Sequence, residues 1–132
     1  MMKHWIKFLL PLMAVVLLPS CGDDEPPTYP FRITVVNEEG VPIQNAHVHA
    51  TAPVVNAIPD FEGYTGLDGV FYNEEDHSDI HVYDLPAVLQ VTAEKGSDPP
   101  VVFGCGYLKL IADSVVEMTV VLLPYNPGAA GC

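Results

Sequence analysis

The sequence predicts an all-β chain, a single β-sandwich of about seven short strands, on three observations. Apolar and polar residues alternate in short runs, as in Phe31-Arg32-Ile33-Thr34-Val35 and Ala46-His47-Val48-His49-Ala50. Turn signals separate the runs: Glu38-Glu39-Gly40, Gly66-Leu67-Asp68-Gly69 and Gly96-Ser97-Asp98-Pro99-Pro100. Beyond residue 20 no segment sustains the helical period of the apolar residues.

The chain opens differently. Met1–Lys7 carries Lys3 and Lys7 and no acidic residue, and Phe8–Leu18 is apolar apart from Pro11. A positive start, a short apolar core and small Ser20 before Cys21 are the parts of a secretory signal peptide. The core holds about 11 residues, where a helix spanning a bilayer needs roughly 20. Leu18-Pro19-Ser20-Cys21 resembles the lipobox of bacterial lipoproteins. That resemblance implies removal of residues 1–20, a thioether-linked diacylglyceryl group on Cys21 and an acyl chain such as palmitate on its amino group. The other reading is an ordinary secreted chain with a chance cysteine after its signal.

Residues 21–30, Cys21-Gly22-Asp23-Asp24-Glu25-Pro26-Pro27-Thr28-Tyr29-Pro30, read as a tether, because three carboxylates repel and three prolines stiffen the backbone. An acidic run behind a lipidated cysteine resembles the surface-export signal of lipoproteins of the Bacteroidota. It implies an outer-membrane lipoprotein whose domain faces the outside of the cell. A charged spacer that carries no address is the alternative.

Residues 31–124 form the sandwich domain and 125–132 a tail. After the first strand, Ala46–Ala50 alternates with its alanines and Val48 on one face. Pro53–Glu62 reads as a loop, Val70-Phe71-Tyr72 as a short strand, and Asn73–Asp84 as a polar, acidic loop. Ala87–Ala93 alternates again; Val101–Ile111 and Val115–Leu123 form the last pair around Ala112-Asp113-Ser114. The two loops are the expected contact surface, since loops on a rigid sandwich carry recognition.

Val36-Asn37-Glu38-Glu39-Gly40-Val41-Pro42-Ile43-Gln44-Asn45-Ala46-His47-Val48 is similar to the opening of carboxypeptidase regulatory-like domains, which are transthyretin-like sandwiches. Thr65-Gly66-Leu67-Asp68-Gly69-Val70-Phe71 resembles their second signature, and Leu85-Pro86-Ala87 leading into Leu89-Gln90-Val91 the third. The resemblance implies a transthyretin-like β-sandwich that commonly serves as a non-catalytic accessory or adhesion module. A typical member passes quickly from the aromatic strand to the Leu-Pro step, whereas here Asn73–Tyr83 intervenes.

Charge narrows the function. The chain has 17 acidic against five basic residues, a net charge of −12. Removing residues 1–20 takes away Lys3 and Lys7 alone and leaves about −14. Such a field repels nucleic acid and favours cations or a basic partner.

His47 and His49 share one face of a strand, and His77 and His81 lie in the acidic loop. Imidazole with carboxylate suits zinc or copper, so these four histidines are the candidate metal ligands; Asp76 and Asp79 alone would suit calcium. Export favours a Cys105–Cys132 disulfide that would pin the tail, with a buried free Cys105 or an intermolecular bond through Cys132 as alternatives.

Catalytic readings lack motifs. Ser78, Ser97 and Ser114 have no nucleophile-elbow context, and no glycine-rich phosphate loop occurs. The expectation is therefore a non-enzymatic lipoprotein without a required cofactor. It would be held to the membrane through Cys21 and would bind or scaffold a partner, an envelope protein or an extracellular ligand; an enzyme of unrecognised chemistry is the more distant reading. Metal binding through the histidine cluster is the alternative.

Overall fold

The computed structural model describes residues 22, 24–129 and 132. Six strands make up the fold: β1 (Phe31–Asn37), β2 (His47–Thr51), β3 (Asp60–Tyr64), β4 (Val88–Lys95), β5 (Val102–Lys109) and β6 (Val116–Pro124). The described residues contain no α-helix; one 3-10 turn, Pro127–Ala129, follows β6.

The strands form one mixed sheet in the order β1-β6-β5-β4-β2-β3. Neighbours pair antiparallel except β1 and β6, which run parallel with Phe31 opposite Val116 and Val35 opposite Val120. A parallel pair cannot be joined by a tight turn. Here the whole intervening domain serves as the crossover, so β1 is locked in place by the last strand.

Alternation decides which face is buried. Phe31, Ile33 and Val35 of β1 and Leu89, Val91 and Ala93 of β4 are fully buried. Val48 and Ala50 of β2 join them, with Val120 and Leu122 of β6. The small alanines of β2 and β4 leave room for the rings of Phe31 and Phe71, the largest fully buried side chains.

The sheet curls until its outer strands nearly meet. Thr65, just past β3, pairs with Phe71, and Val70 pairs with Thr34 of β1. Phe71 N donates to Ile33 O at 2.9 Å and Val35 N to Gly69 O at 2.8 Å. A tight turn at residues 66–69 thus stitches β3 to β1. Gly69 has φ +73°, and a Cβ there would sit 2.6 Å from Val35 O, so only glycine fits this close approach.

Six strands stand where about seven were expected, and two elements differ from the sequence reading. β3 lies across the end of the expected Pro53–Glu62 loop. Its inward positions are half-buried Phe61 and buried Gly63, and a Cβ at Gly63 would meet Phe71 Cε2 at 2.8 Å. Glycine where a ring must fit erases the apolar alternation that would have betrayed the strand. Conversely, Val70-Phe71-Tyr72 forms only isolated bridges rather than a ladder.

The docked chain also begins before Phe31. Tyr29 is nearly buried and donates its N–H to Tyr83 O at 2.7 Å, and Pro30 O accepts from Val116 N at 3.0 Å. At the other end Cys105 and Cys132 are joined by a disulfide, their Cα atoms 5.6 Å apart. Cys105 points away from the core, since its neighbour Gly104 is the buried one, so the bond ties the tail to the outer face of β5.

Candidate functional site

The four histidines are not gathered. His47 and His49 stand on the outer face of β2, as their spacing predicts. Opposite them β3 presents Asp60 and Glu62 with the same two-residue period. His47 Nε2 lies 2.6 Å from Glu62 Oε1 and its Nδ1 3.7 Å from Glu94 Oε1 across β4; His49 Nε2 bonds Asp60 Oδ1. Each imidazole donates to a carboxylate across the strand pair. Such cross-strand pairs contribute roughly 0.2–1 kcal/mol each and fix the register of the edge strand. His77 is exposed, in a turn with φ 57°.

His81 lies in the core. Its side chain is 3% exposed. The ring stacks on Phe71, centroids 4.2 Å apart and planes at 16°, and on Phe31 at 5.2 Å and 20°. Phe61 meets it edge-on at 5.6 Å. Backbone bonds exchanged between Phe31 and His81 hold the segment against β1. Among the described residues no group of three or more histidine, cysteine or acidic side chains is arranged to hold a metal ion. Cys21, the expected lipid-bearing residue, falls outside the described residues.

The long acidic segment is tightly folded. Asn73 N donates to Ser78 O at 2.7 Å, Asp76 Oδ1 accepts from Ser78 N at 2.9 Å, and Ser78 Oγ donates to Ile80 O at 2.8 Å. The donation from Ser78 N–H, the largest cause, holds the Asp76 carboxyl below its ordinary range. Asp79 lies 2.9 Å from Arg32 Nε, which is sealed from solvent but not aligned for a hydrogen bond, while Arg32 Nη1 bonds Glu117. Neither Asp76 nor Asp79 is thus a free calcium ligand.

Tautomer and charge at His81 follow from its partner. Nε2 lies 3.2 Å from Phe71 O, a pure acceptor, so Nε2 carries the hydrogen and Nδ1 keeps a lone pair. Burial pushes the imidazole below the ordinary histidine range; the Phe71 carbonyl and the charges of Asp76 and Asp79 act the other way. The ring is neutral. Nδ1 makes no hydrogen bond to a described residue, and it is not among the buried atoms sealed from solvent, so it reaches open space.

That space is a cleft of about 420 Å³ between β3 and the segment Tyr72–Glu75. It opens where the strands stitched at Thr65 and Phe71 diverge. Buried His81 and Phe71 make its floor, half-buried Phe61 one wall, and the exposed carboxylates of Asp60, Glu62, Glu74 and Glu75 its rim. No lysine or arginine lines it. Asp60 and Glu62 were missed in the sequence because their strand was missed; their two-residue spacing opposite His47-x-His49 was the available signal.

The state of His81 sets a pH dependence. The unfolded chain takes up a proton near the ordinary value of 6.5, whereas the folded chain resists it. Stability is therefore complete above that value and falls as the pH drops through it toward the lowered folded value. Thermal unfolding between about pH 5 and pH 7.5 should show this loss on acidification, and His81→Phe should flatten it. An equal slope in both proteins would remove His81 as its source.

Neither the protein-family models nor the curated proteins include a match to this chain.

Proposed function

We propose that the protein is a non-enzymatic lipoprotein of the cell envelope, anchored through Cys21, whose β domain binds or scaffolds a partner. The observation that carries the anchor is the order Lys3, Lys7, apolar Phe8–Leu18, then Ser20-Cys21. That order delivers a thiol to the end of a signal peptide. One lipid chain gives only marginal membrane binding, so the diacylglyceryl and acyl groups together make the anchor stable.

The domain is read as the transthyretin-like sandwich of carboxypeptidase regulatory-like domains. Local roles of the motif residues support this. Gly40 and Gly69 both take positive φ in turns. Buried Thr65 Oγ1 donates to Ile43 O at 2.6 Å and accepts from Ala46 N at 2.9 Å, joining the first two motifs. Asp68 Oδ1 accepts from Val70 N at 3.1 Å within the second. Binding is favoured over catalysis because the cleft beside His81 presents carboxylates and an imidazole without a nucleophile paired to a base.

Intact-mass spectrometry of the membrane-extracted protein tests the anchor. The expected mass lacks residues 1–20 and carries a diacylglyceryl and an acyl group, and Cys21→Ala abolishes both changes. Protease shaving of whole cells then reports the face. A soluble mature chain without lipid would overturn the reading.

A further inference from the structure

We propose that the cleft between β3 and Tyr72–Glu75 receives the guanidinium of an arginine side chain presented by a partner protein. This deepens the binding role above and rests on it only for the existence of a partner.

Two independent features point to such a ligand. The first is charge: four carboxylates surround the mouth and no cation lines the cleft. Glu74 and Glu75 make no side-chain hydrogen bond or ion pair among the described residues; Asp60 and Glu62 each engage a histidine through one oxygen. The second is His81. His81 is 3% exposed and lines the cleft, and its Nδ1 keeps a lone pair that no described residue bonds. An incoming donor finds there an acceptor that no described protein group occupies.

The four carboxylates and His81 offer acceptors at its rim and floor and favour a ligand rich in donors. A guanidinium supplies five N–H groups in one plane, enough for the His81 lone pair and a rim carboxylate together. Its flat face and methylene stem suit the aromatic wall of Phe61. A metal ion is a poorer fit, because the acidic side chains stand apart and no three ligands converge. The strongly negative chain also draws a cationic partner toward this mouth.

The test is a titration of the purified protein, followed through the imidazole nitrogen resonances, with the capped peptide acetyl-Gly-Arg-Gly-amide. Parallel titrations use the lysine and alanine analogues and zinc chloride. The arginine peptide should shift the His81 Nδ1 signal saturably and leave His77 unmoved. Glu74→Gln with Glu75→Gln, both exposed and unpaired, should weaken binding roughly tenfold by removing charge-assisted hydrogen bonds. His81→Phe should abolish it, and the carboxylate variants keep the test decisive if that protein folds poorly. Silence at His81 Nδ1 overturns the proposal, as does an equal response to the alanine or lysine peptide. Saturable zinc binding without an arginine response assigns the cleft to a metal and overturns it as well. Failure here leaves the lipid anchor standing, and an unlipidated chain leaves the cleft assignment standing.

Discussion

Phe71→Ala is expected to lower stability by about 3–5 kcal/mol, the cost of emptying a large core site that its surroundings cannot refill. For a domain of this size that is a fall in Tm of roughly 10–20 °C. Phe71 is 1% exposed, its ring stacks on His81, and Gly63 is shaped to receive its edge. Its backbone also bridges β1 and the end of β3. Losing the ring removes a stacking partner of His81 and the filler between β1 and β3, which otherwise meet through Phe31 and Phe61. The cleft above should widen with it, so arginine-peptide binding should weaken together with stability. Phe71→Leu keeps most of the apolar burial and should cost roughly 1–2 kcal/mol, the lost stacking plus imperfect shape. Denaturant unfolding of the two variants checks this. A Phe71→Ala protein within about 1 kcal/mol of the parent would mean that the curl closes without this ring.

How much of this was legible in the sequence depends on which residues carried the pattern. β1, β2 and β4 announce themselves because branched or aromatic residues alternate with polar ones, and the structure buries the expected members. The β5–β6 hairpin was legible from its turn, where Ile111 pairs with Ser114 and Asp113 takes φ 54°. β3 was hidden because its inward face is Phe61 and a glycine, a choice dictated by a ring from another segment. The parallel pairing of β1 with β6 leaves no local trace, since it joins the two ends of the domain.

The site was legible in its residue types and not in its grouping. His47 and His49 do share an outer face, yet the carboxylates that hold them belong to the missed strand. His81 sits between Ile80 and Val82 in a segment rich in acidic residues, and that segment's composition suggests exposure. Of the rings that enclose it, Phe71 is ten residues away, whereas Phe31 and Phe61 are more distant in sequence and reach it through the curl. A loop of acidic residues therefore carries a core histidine, and the same burial that removes it from a metal cluster leaves it lining the cleft.

Removing the disulfide is the second large effect. The Cys105–Cys132 bond closes a loop spanning 27 positions that contains all of β6. Closing a loop of that length removes chain entropy from the unfolded state worth about 3.5 kcal/mol. Among the described residues, the tail is held besides this bond by Tyr125, whose N donates to Val101 O at 2.9 Å and whose ring meets Phe103 at 6.3 Å. β6 is the strand that clasps β1 in parallel, so slack at its end reaches the first strand of the domain. Cys132→Ser should lower Tm by roughly 10–15 °C. Cys105→Ser should match it, and the double variant should lose no more than either single one, because both act through one bond. The parent measured in dithiothreitol should fall to the same level. A bond of this worth forms in an oxidising compartment and is lost in a reducing one. The export proposed above would therefore place the domain where it gains its full stability. Equal Tm values for oxidised and reduced parent protein would overturn both the energetic role of the bond and that link to export.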